Sequence, residues 1–166
     1  MELRVLESPG REWDEFISRY TDLIFYQSSW SGVLREGLGG TSLYFALEDG
    51  NQIVSGLPSV LLKVGFFKIL YASIPYGNLV GETHTFAEFT ERLERELLTR
   101  GIDQVRLTES PFSEPYRPAS FRVIPTTCSL LNLQGLNPEA FSDRYPGEVL
   151  AERFSSSANH PYLPLC

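Results

Sequence analysis

The chain has 166 residues, of which 42% are hydrophobic and 21% charged, a composition that is typical of a folded globular protein and excludes wholesale disorder. Its net charge of −7 argues against non-specific binding to nucleic acid or to an anionic membrane as the main task, because both need a positive surface. The length favours a single domain, or a domain with a tail.

The first elements predicted along the chain are a short strand over residues 3–6 and a helix. Ser8 and Pro9 have the composition of an N-cap and a first helical residue. The helix that follows has one apolar face, formed by Trp13, Phe16, Ile17 and Tyr20.

A second helix and an antiparallel meander are predicted next. Ser28 or Ser29 is predicted to cap the helix. Gly37, Gly39 and Gly40 are predicted to end it, since glycine adopts the left-handed conformation that ends helices. The apolar period then becomes that of strands. Strands are predicted over residues 42–47, 53–62 and 66–72, with turns over 48–52 and 63–65.

The third helix has the strongest pattern. Thr85 and Glu88 have the spacing of a capping box, and Gly101 ends the helix that they begin. Glutamate and arginine pairs four residues apart lie on its exposed side: Glu88–Arg92, Glu91–Arg95 and Glu96–Arg100. The later predicted elements are a strand over 102–107, a proline-rich loop over 109–120, a strand over 123–133 and a helix over about 138–145.

The predicted fold class is α+β, with helices packed on a mixed, mainly antiparallel sheet. We predict one domain over residues 1–145 and an irregular, flexible tail over residues 146–166, which is rich in serine and proline at its end. No apolar run is long enough to span a bilayer, and the N-terminus lacks the features of a targeting segment. With only two cysteines, the chain is predicted to be cytoplasmic, without a transmembrane segment and without DNA as a partner.

Motifs of well-known catalytic and metal sites are missing from the sequence. His84 and His160 are interpreted as surface residues, and Cys128 as a small buried hydrophobic residue. The sequence therefore leaves the catalytic residues unknown and predicts no metal ligand.

One glycine-rich segment has a spacing near that of a phosphate-binding loop. Acyl-coenzyme A enzymes of the GNAT type hold the pyrophosphate on a Gln/Arg-x-x-Gly-x-Gly/Ala loop at a helix N-terminus. The segment Arg35-Glu-Gly-Leu-Gly-Gly40 has Leu38 where glycine is needed, and it ends a helix instead of starting one. A helix C-cap is therefore predicted, and no cofactor-binding motif is identified.

Two segments carry aromatic and amide side chains of the kind that contact a sugar or a peptide. They are residues 25–30, at the start of a helix, and residues 74–81, on a tight loop after a strand. The candidate substrate-binding residues are Tyr26, Gln27, Trp30, Tyr76 and Asn78. The alternative is that Tyr26 and Trp30 only pack in the core and that Pro75 and Gly77 only make a turn.

The order and spacing of several segments resemble the N-terminal half of FemAB-like acyltransferases. These segments are Phe25-Tyr-Gln-Ser-Ser-Trp30, the glycine-rich helix end, Gly56-Leu-Pro58, the hairpin at Gly65 and Ser73-Ile-Pro-Tyr-Gly-Asn-Leu-Val-Gly81. The resemblance covers about residues 3–135. The group includes peptidoglycan interpeptide-bridge aminoacyltransferases and relatives associated with bacterial exopolysaccharide export.

This resemblance implies two GNAT-like domains in tandem. Members transfer an acyl or aminoacyl group, from a thioester such as acyl-coenzyme A or from a charged tRNA, to an amine of a cell-wall precursor or a sugar. The donor-binding loop is usually in the second domain, whereas the first helps to form the acceptor cleft. The resemblance thus implies that the five candidates contact a small-molecule, glycan or peptide acceptor.

The C-terminal part departs from the family pattern. Residues 147–154 are not basic, and a serine- and proline-rich tail stands where a second domain would follow. The expectation is a truncated or frame-shifted copy, or a half-protein that needs a second GNAT-like domain or subunit. Two alternatives are a non-catalytic module that binds a glycan, a peptide or that missing subunit, and an unrelated α+β enzyme. An exposed apolar surface near residues 123–133 would favour the module.

Overall fold

The computed structural model describes residues 1–109, 116–119, 121–122 and 124. The chain divides into two units, Met1–Arg122 and Val123–Cys166, and the elements described here belong to the first. The strand predicted over 123–133, the helix over 138–145, the domain boundary at 145 and the tail over 146–166 lie outside the described residues.

The long strands and the helices of the first unit follow one another in the predicted order, and a two-residue strand lies in the predicted loop over residues 74–81. The strands are β1 (Glu2–Leu6), β2 (Thr41–Asp49), β3 (Gln52–Val64), β4 (Phe67–Ala72), β5 (Val80–Gly81) and β6 (Gln104–Arg106). The α-helices are α1 (Arg11–Ile17), α2 (Ser28–Leu38) and α3 (Phe86–Thr99). Short 3-10 turns precede α2 and α3, over Ile24–Tyr26 and Thr83–Thr85.

The strands form one sheet in the order β1-β2-β3-β4-β6, with β5 paired to β3. Neighbouring strands are antiparallel except β4 and β6, which run parallel because α3 lies between them in the chain. The long β2–β3–β4 meander confirms the antiparallel prediction. The fold class is therefore confirmed as α+β, a mixed, mainly antiparallel sheet with helices packed on it.

Each face of the sheet has its own hydrophobic core, because successive strand residues point to opposite faces. Leu43, Phe45 and Leu47 of β2 pack with one side of α3. Tyr44 and Ala46, which alternate with them, pack with α1 and with Tyr26. The sheet thus lies between α3 on one face and α1 with the first 3-10 turn on the other.

The predicted start of α1 is wrong, and so are the predicted cap of α2 and the predicted capping box of α3. The N-cap of α2 is Gln27, so neither Ser28 nor Ser29 occupies that position. Helix α1 begins at Arg11, and its N-cap Gly10 makes no side-chain cap, so Ser8 and Pro9 precede the helix without starting it. In α3 the N-cap Thr85 has a helical backbone, and its hydroxyl donates 2.7 Å to the carbonyl of Glu82. The capping box fails because the preceding 3-10 turn already uses the Thr85 hydroxyl.

The surface ion pairs of α3 form as predicted. Arg92 donates to Glu88 at 2.7 Å, Arg100 donates to Glu96 at 2.6 Å, and Arg95 pairs with Glu91. Each such exposed pair contributes only a few tenths of a kcal/mol. Among the described residues, no helix is long and apolar enough to cross a membrane.

Candidate functional site

The segment that follows β4, residues 73–79, lies against the 3-10 turn Ile24–Tyr26 and the start of α2. Trp30 Nε1 donates to the Ile74 carbonyl at 2.7 Å, and the Asn78 N–H donates to the Tyr26 hydroxyl at 3.3 Å. The Ser73 hydroxyl donates to the Phe25 carbonyl. These contacts join residues that are 44, 52 and 48 positions apart. The two segments singled out in the sequence are thus neighbours in space, and we call residues 73–79 the β4 loop.

Aromatic rings extend this contact. Phe25 lies edge-on to Trp30 with ring centroids 5.2 Å apart, and edge-on to Tyr76 at 6.2 Å. Tyr26 and Tyr76 are buried, whereas Trp30 is half-buried. The buried tyrosines therefore pack inside the protein. Trp30 packs only in part, so the core-packing alternative holds in part for it, and the residue stays partly exposed to solvent.

The Asn78 side chain is buried and bonded within the protein. Its Nδ2 donates to the Tyr116 carbonyl at 3.0 Å, and its Oδ1 accepts the Leu79 N–H at 2.7 Å. Buried amides need such partners, because an unpaired polar group in the interior costs about 1–3 kcal/mol. Asn78 thereby fixes the path of the β4 loop, and a role in substrate contact stays a prediction.

Gln27 is bonded differently. Its backbone carbonyl accepts the Trp30 N–H at 3.2 Å and the Tyr44 hydroxyl at 3.3 Å. The residue is half-buried, and across the part of the chain that the structure describes its side-chain amide has no hydrogen-bond partner. The other predicted site residue with a side-chain amide is Asn78, whose amide is already bonded within the protein. Gln27 therefore has the side-chain amide that is better placed to bind a ligand.

Four backbone N–H groups of the β4 loop, those of Ser73, Gly77, Asn78 and Leu79, are bonded within the protein. Ser73 N donates to the Pro58 carbonyl at 2.9 Å, and Gly77 N donates to the Thr108 carbonyl at 3.0 Å. The Thr108 N–H donates to the Gly77 carbonyl at 3.0 Å. This pair of hydrogen bonds joins the loop to the chain just beyond β6. The N–H groups of Asn78 and Leu79 are bonded as well, so none of these four N–H groups is available to a phosphate.

The glycine-rich segment at residues 35–40 ends α2. Gly39 adopts a left-handed conformation, with φ at +66°, and its N–H donates to the Arg35 carbonyl at 3.0 Å. That geometry is a helix C-cap. The predicted helix C-cap is therefore confirmed for this segment.

Asp14 is a structural residue that sequence reasoning missed. From α1 it accepts the Ser28 N–H at 2.7 Å and the Ser28 hydroxyl at 2.5 Å. A carboxylate at a helix N-terminus satisfies free N–H donors and complements the helix dipole. Asp14 thus caps α2 from another element, and no local spacing in the sequence could reveal a cap that is 14 residues away.

Two phenols beneath this region have raised pKa values. Burial raises the pKa of Tyr26 above its ordinary value, and the hydrogen bond from Asn78 offsets this only in part. Burial, then the negative charge of Asp14, raises the pKa of Tyr44 far above its ordinary value, although a hydrogen bond with Ser31 acts in the opposite direction. Both phenols are therefore neutral at physiological pH.

A shallow depression of about 370 Å³ lies elsewhere on the surface, over α1 and the β2–β3 turn. Its lining residues are Glu12, Glu15, Arg19, Asn51, Gln52 and Ile53. Glu12 and Glu15 are already paired with Arg4 and Arg11. None of the predicted site residues lines it, and among the described residues no group of three or more histidine, cysteine or acidic side chains could hold a metal.

Comparison with known proteins gives one structural likeness. No protein-family model matches the chain, and a search of curated proteins finds no match. Among solved structures, a crystal structure of a Trypanosoma brucei acetyltransferase is 18% identical with a TM-score of 0.45, over 79% of this chain and 99% of that chain. At this level the likeness says nothing about activity.

Proposed function

We propose that residues 1–122 form the acceptor-side lobe of an N-acyltransferase of the GNAT and FemAB-like kind. The observation that carries the proposal is the junction of residues 25–30 with the β4 loop through Trp30, Ile74, Tyr26 and Asn78. The resemblance assigns an acceptor cleft to these same two segments. The acceptor would be an amine of a cell-wall or polysaccharide precursor, met in the cytoplasm.

The side chains at this junction suit such an acceptor. Sugar rings and peptide groups bind on aromatic faces that are flanked by a few directed polar groups. Trp30 offers a half-exposed indole, and Gln27 offers a side-chain amide that can both donate and accept. Tyr76 and Asn78 hold the β4 loop in place behind them.

The donor belongs on another domain or subunit in this proposal. Acyl-coenzyme A needs backbone N–H groups aimed at its diphosphate. The residues after β4 do not fit that group, because Ser73, Gly77, Asn78 and Leu79 donate their N–H groups within the protein. Transfer to an amine also needs a base and donors for the oxyanion, and we assign neither to the described residues.

Calorimetric titration with an amine acceptor tests the proposal. The probe is a muramyl pentapeptide with a free lysine amine, and the comparison ligand is the same peptide with that amine acetylated. We expect saturable binding of the amine form at millimolar concentration. Gln27→Ala removes one side-chain hydrogen bond and should weaken binding about two- to tenfold.

Gln52→Ala is the matched control, because Gln52 is exposed at the start of β3, away from the junction. It should leave the affinity unchanged. Equal weakening by Gln27→Ala and Gln52→Ala, or no heat of binding from the amine acceptor, would overturn the proposal. Stabilisation of the chain by acetyl-coenzyme A alone against heat would overturn it as well, because that requires a donor site on this chain.

A further inference from the structure

The β3–β4 hairpin ends in exposed apolar side chains. Gly65, with φ at +62°, and Phe66 form the turn, and Val64 faces Phe67 directly across the two strands. The exposed fractions are 58% for Val64, 103% for Phe66 and 64% for Phe67. We call residues 64–67 the hairpin tip.

The other long hairpin of the sheet, β2–β3, shows that a turn between two long strands does not require apolar residues. The β2–β3 turn is made of Asp49, Gly50, Asn51 and Gln52, which are all polar or glycine and all exposed. A turn needs residues that tolerate its backbone, not large apolar side chains. Folding of the described unit thus gains nothing evident from Phe66, and its exposure calls for another explanation.

Two lysines lie directly behind the hairpin tip. Lys63 pairs with Lys68 across the strands, and residues 63–68 contain no acidic residue. The nearby Asp103 carboxylate accepts the backbone N–H of Lys68 at 2.7 Å. The Lys68 ammonium donates to the Arg100 carbonyl at 2.8 Å, whereas Lys63 is exposed. Strand residues are about 3.3 Å apart, so the lysines stand roughly 7 Å behind Phe66 along the hairpin.

These dimensions match the interface of a phospholipid bilayer. Peripheral elements bury their apolar side roughly 5–10 Å into the boundary between headgroups and acyl chains. Aromatic rings favour that boundary, and lysines favour the phosphate level just outside it. A protein partner fits less well, because a stable interface needs about 800 Å² on each side and a few projecting side chains supply roughly half of that.

We propose that the hairpin tip inserts into the interface of a phospholipid bilayer and anchors this protein reversibly at a membrane surface. Insertion would be driven by Phe66, Phe67 and Val64, with Lys63 at the level of the lipid phosphates. The net charge of −7 opposes attraction to an anionic surface, so the apolar contacts must carry the binding. This proposal does not depend on the proposed acyltransferase function.

Sedimentation with phosphatidylcholine vesicles tests the anchor on the full chain. We expect the protein to pellet with vesicles, and Phe66→Ser to lower the partition coefficient about tenfold or more, because a phenylalanine side chain is lost from the apolar phase. Leu98→Ser is the matched control: Leu98 is 79% exposed on α3, and its loss should change partitioning less than twofold.

A second readout separates insertion from protein docking. In Phe66→Trp, indole emission should shift to the blue with vesicles and be quenched by brominated lipid. The proposal fails if the wild-type chain stays in the supernatant at millimolar lipid, or if Phe66→Ser and Leu98→Ser reduce partitioning equally. It also fails if Phe66→Ser abolishes self-association in light scattering while vesicle binding is unchanged, since the tip would then be a protein contact.

Discussion

Replacement of Gly77 by alanine tests whether the β4 loop is packed as the structure has it. A Cβ on Gly77 would lie 2.6 Å from the Ala72 carbonyl carbon and closer still to the Ser73 nitrogen. Both neighbours are backbone atoms at the end of β4, so no side chain can move aside. The loop must therefore shift, and the paired hydrogen bonds between Gly77 and Thr108 are the contacts that it would lose.

The expected loss of stability follows from these two effects. Overpacking costs about 1–3 kcal/mol, and two lost hydrogen bonds cost about 0.5–1.5 kcal/mol each. Gly77→Ala should thus lower the free energy of unfolding by about 2–6 kcal/mol, a large part of the roughly 5–15 kcal/mol of a typical domain. Urea denaturation followed by tryptophan fluorescence measures the change.

Gly37→Ala is the matched control for the same chemical change. Gly37 lies in α2, and nothing lies within 4 Å of the Cβ that alanine would add. This variant should be more stable than wild type by about 0.5–1 kcal/mol, because alanine favours a helix over glycine. If Gly77→Ala unfolds at the wild-type urea concentration, or if Gly37→Ala is the more damaging change, the described packing of the β4 loop is wrong.

Further predictions use the same urea assay. Asp14→Ala removes the cap of α2 and should lower the free energy of unfolding by about 0.5–2 kcal/mol. Asp22→Ala, at an exposed position, should change it by no more than about 0.5 kcal/mol. Equal effects of the two variants would refute the capping role of Asp14. Tyr26→Phe leaves the buried Asn78 N–H without its acceptor and should cost about 1–3 kcal/mol, and a neutral result would count against that bond. The pKa values of Tyr26 and Tyr44 are raised in the folded state, so the stability that these two residues contribute is complete below the unfolded tyrosine pKa of about 10. That stability is lost as the pH rises above this value. A free energy of unfolding that stays constant up to about pH 11 would contradict this prediction.

Much of the fold could be predicted from local patterns. The strand-like segments and the turns between them predicted the meander of β2, β3 and β4. The apolar stripe with its Glu–Arg pairs predicted α3. These patterns act over a few residues, so the sequence displays them directly. The end of α2 at Gly39 was predictable for the same reason.

The errors arose where distant residues decide a local structure. Ser8 with Pro9 and Thr85 with Glu88 have good capping composition, yet neither caps its helix. The real cap of α2 is Asp14, which α1 brings to Ser28. Propensity could not show this, because tertiary packing determines which side chain reaches a free helix end.

The candidate site was only partly accessible from sequence. Aromatic and amide side chains singled out the segments that contain residues 26–30 and 76–78, the resemblance to FemAB-like proteins implied their acceptor role, and the structure makes them neighbours. The sequence could not distinguish Gln27, whose side chain is unpartnered among the described residues, from Asn78, whose amide is bonded to Tyr116 and Leu79. That difference depends on the loop path, which long-range contacts fix.

Amide NMR of the isotope-labelled chain tests the central claim most directly. The claim is that the junction of residues 25–30 with the β4 loop receives an amine acceptor and not the diphosphate of a donor. The lysine-containing muramyl pentapeptide should shift the side-chain amide of Gln27 and the indole N–H of Trp30 in a saturable way, while acetyl-coenzyme A leaves them unchanged. Saturable shifts in the β4 loop with acetyl-coenzyme A, and none with the peptide, would contradict the account.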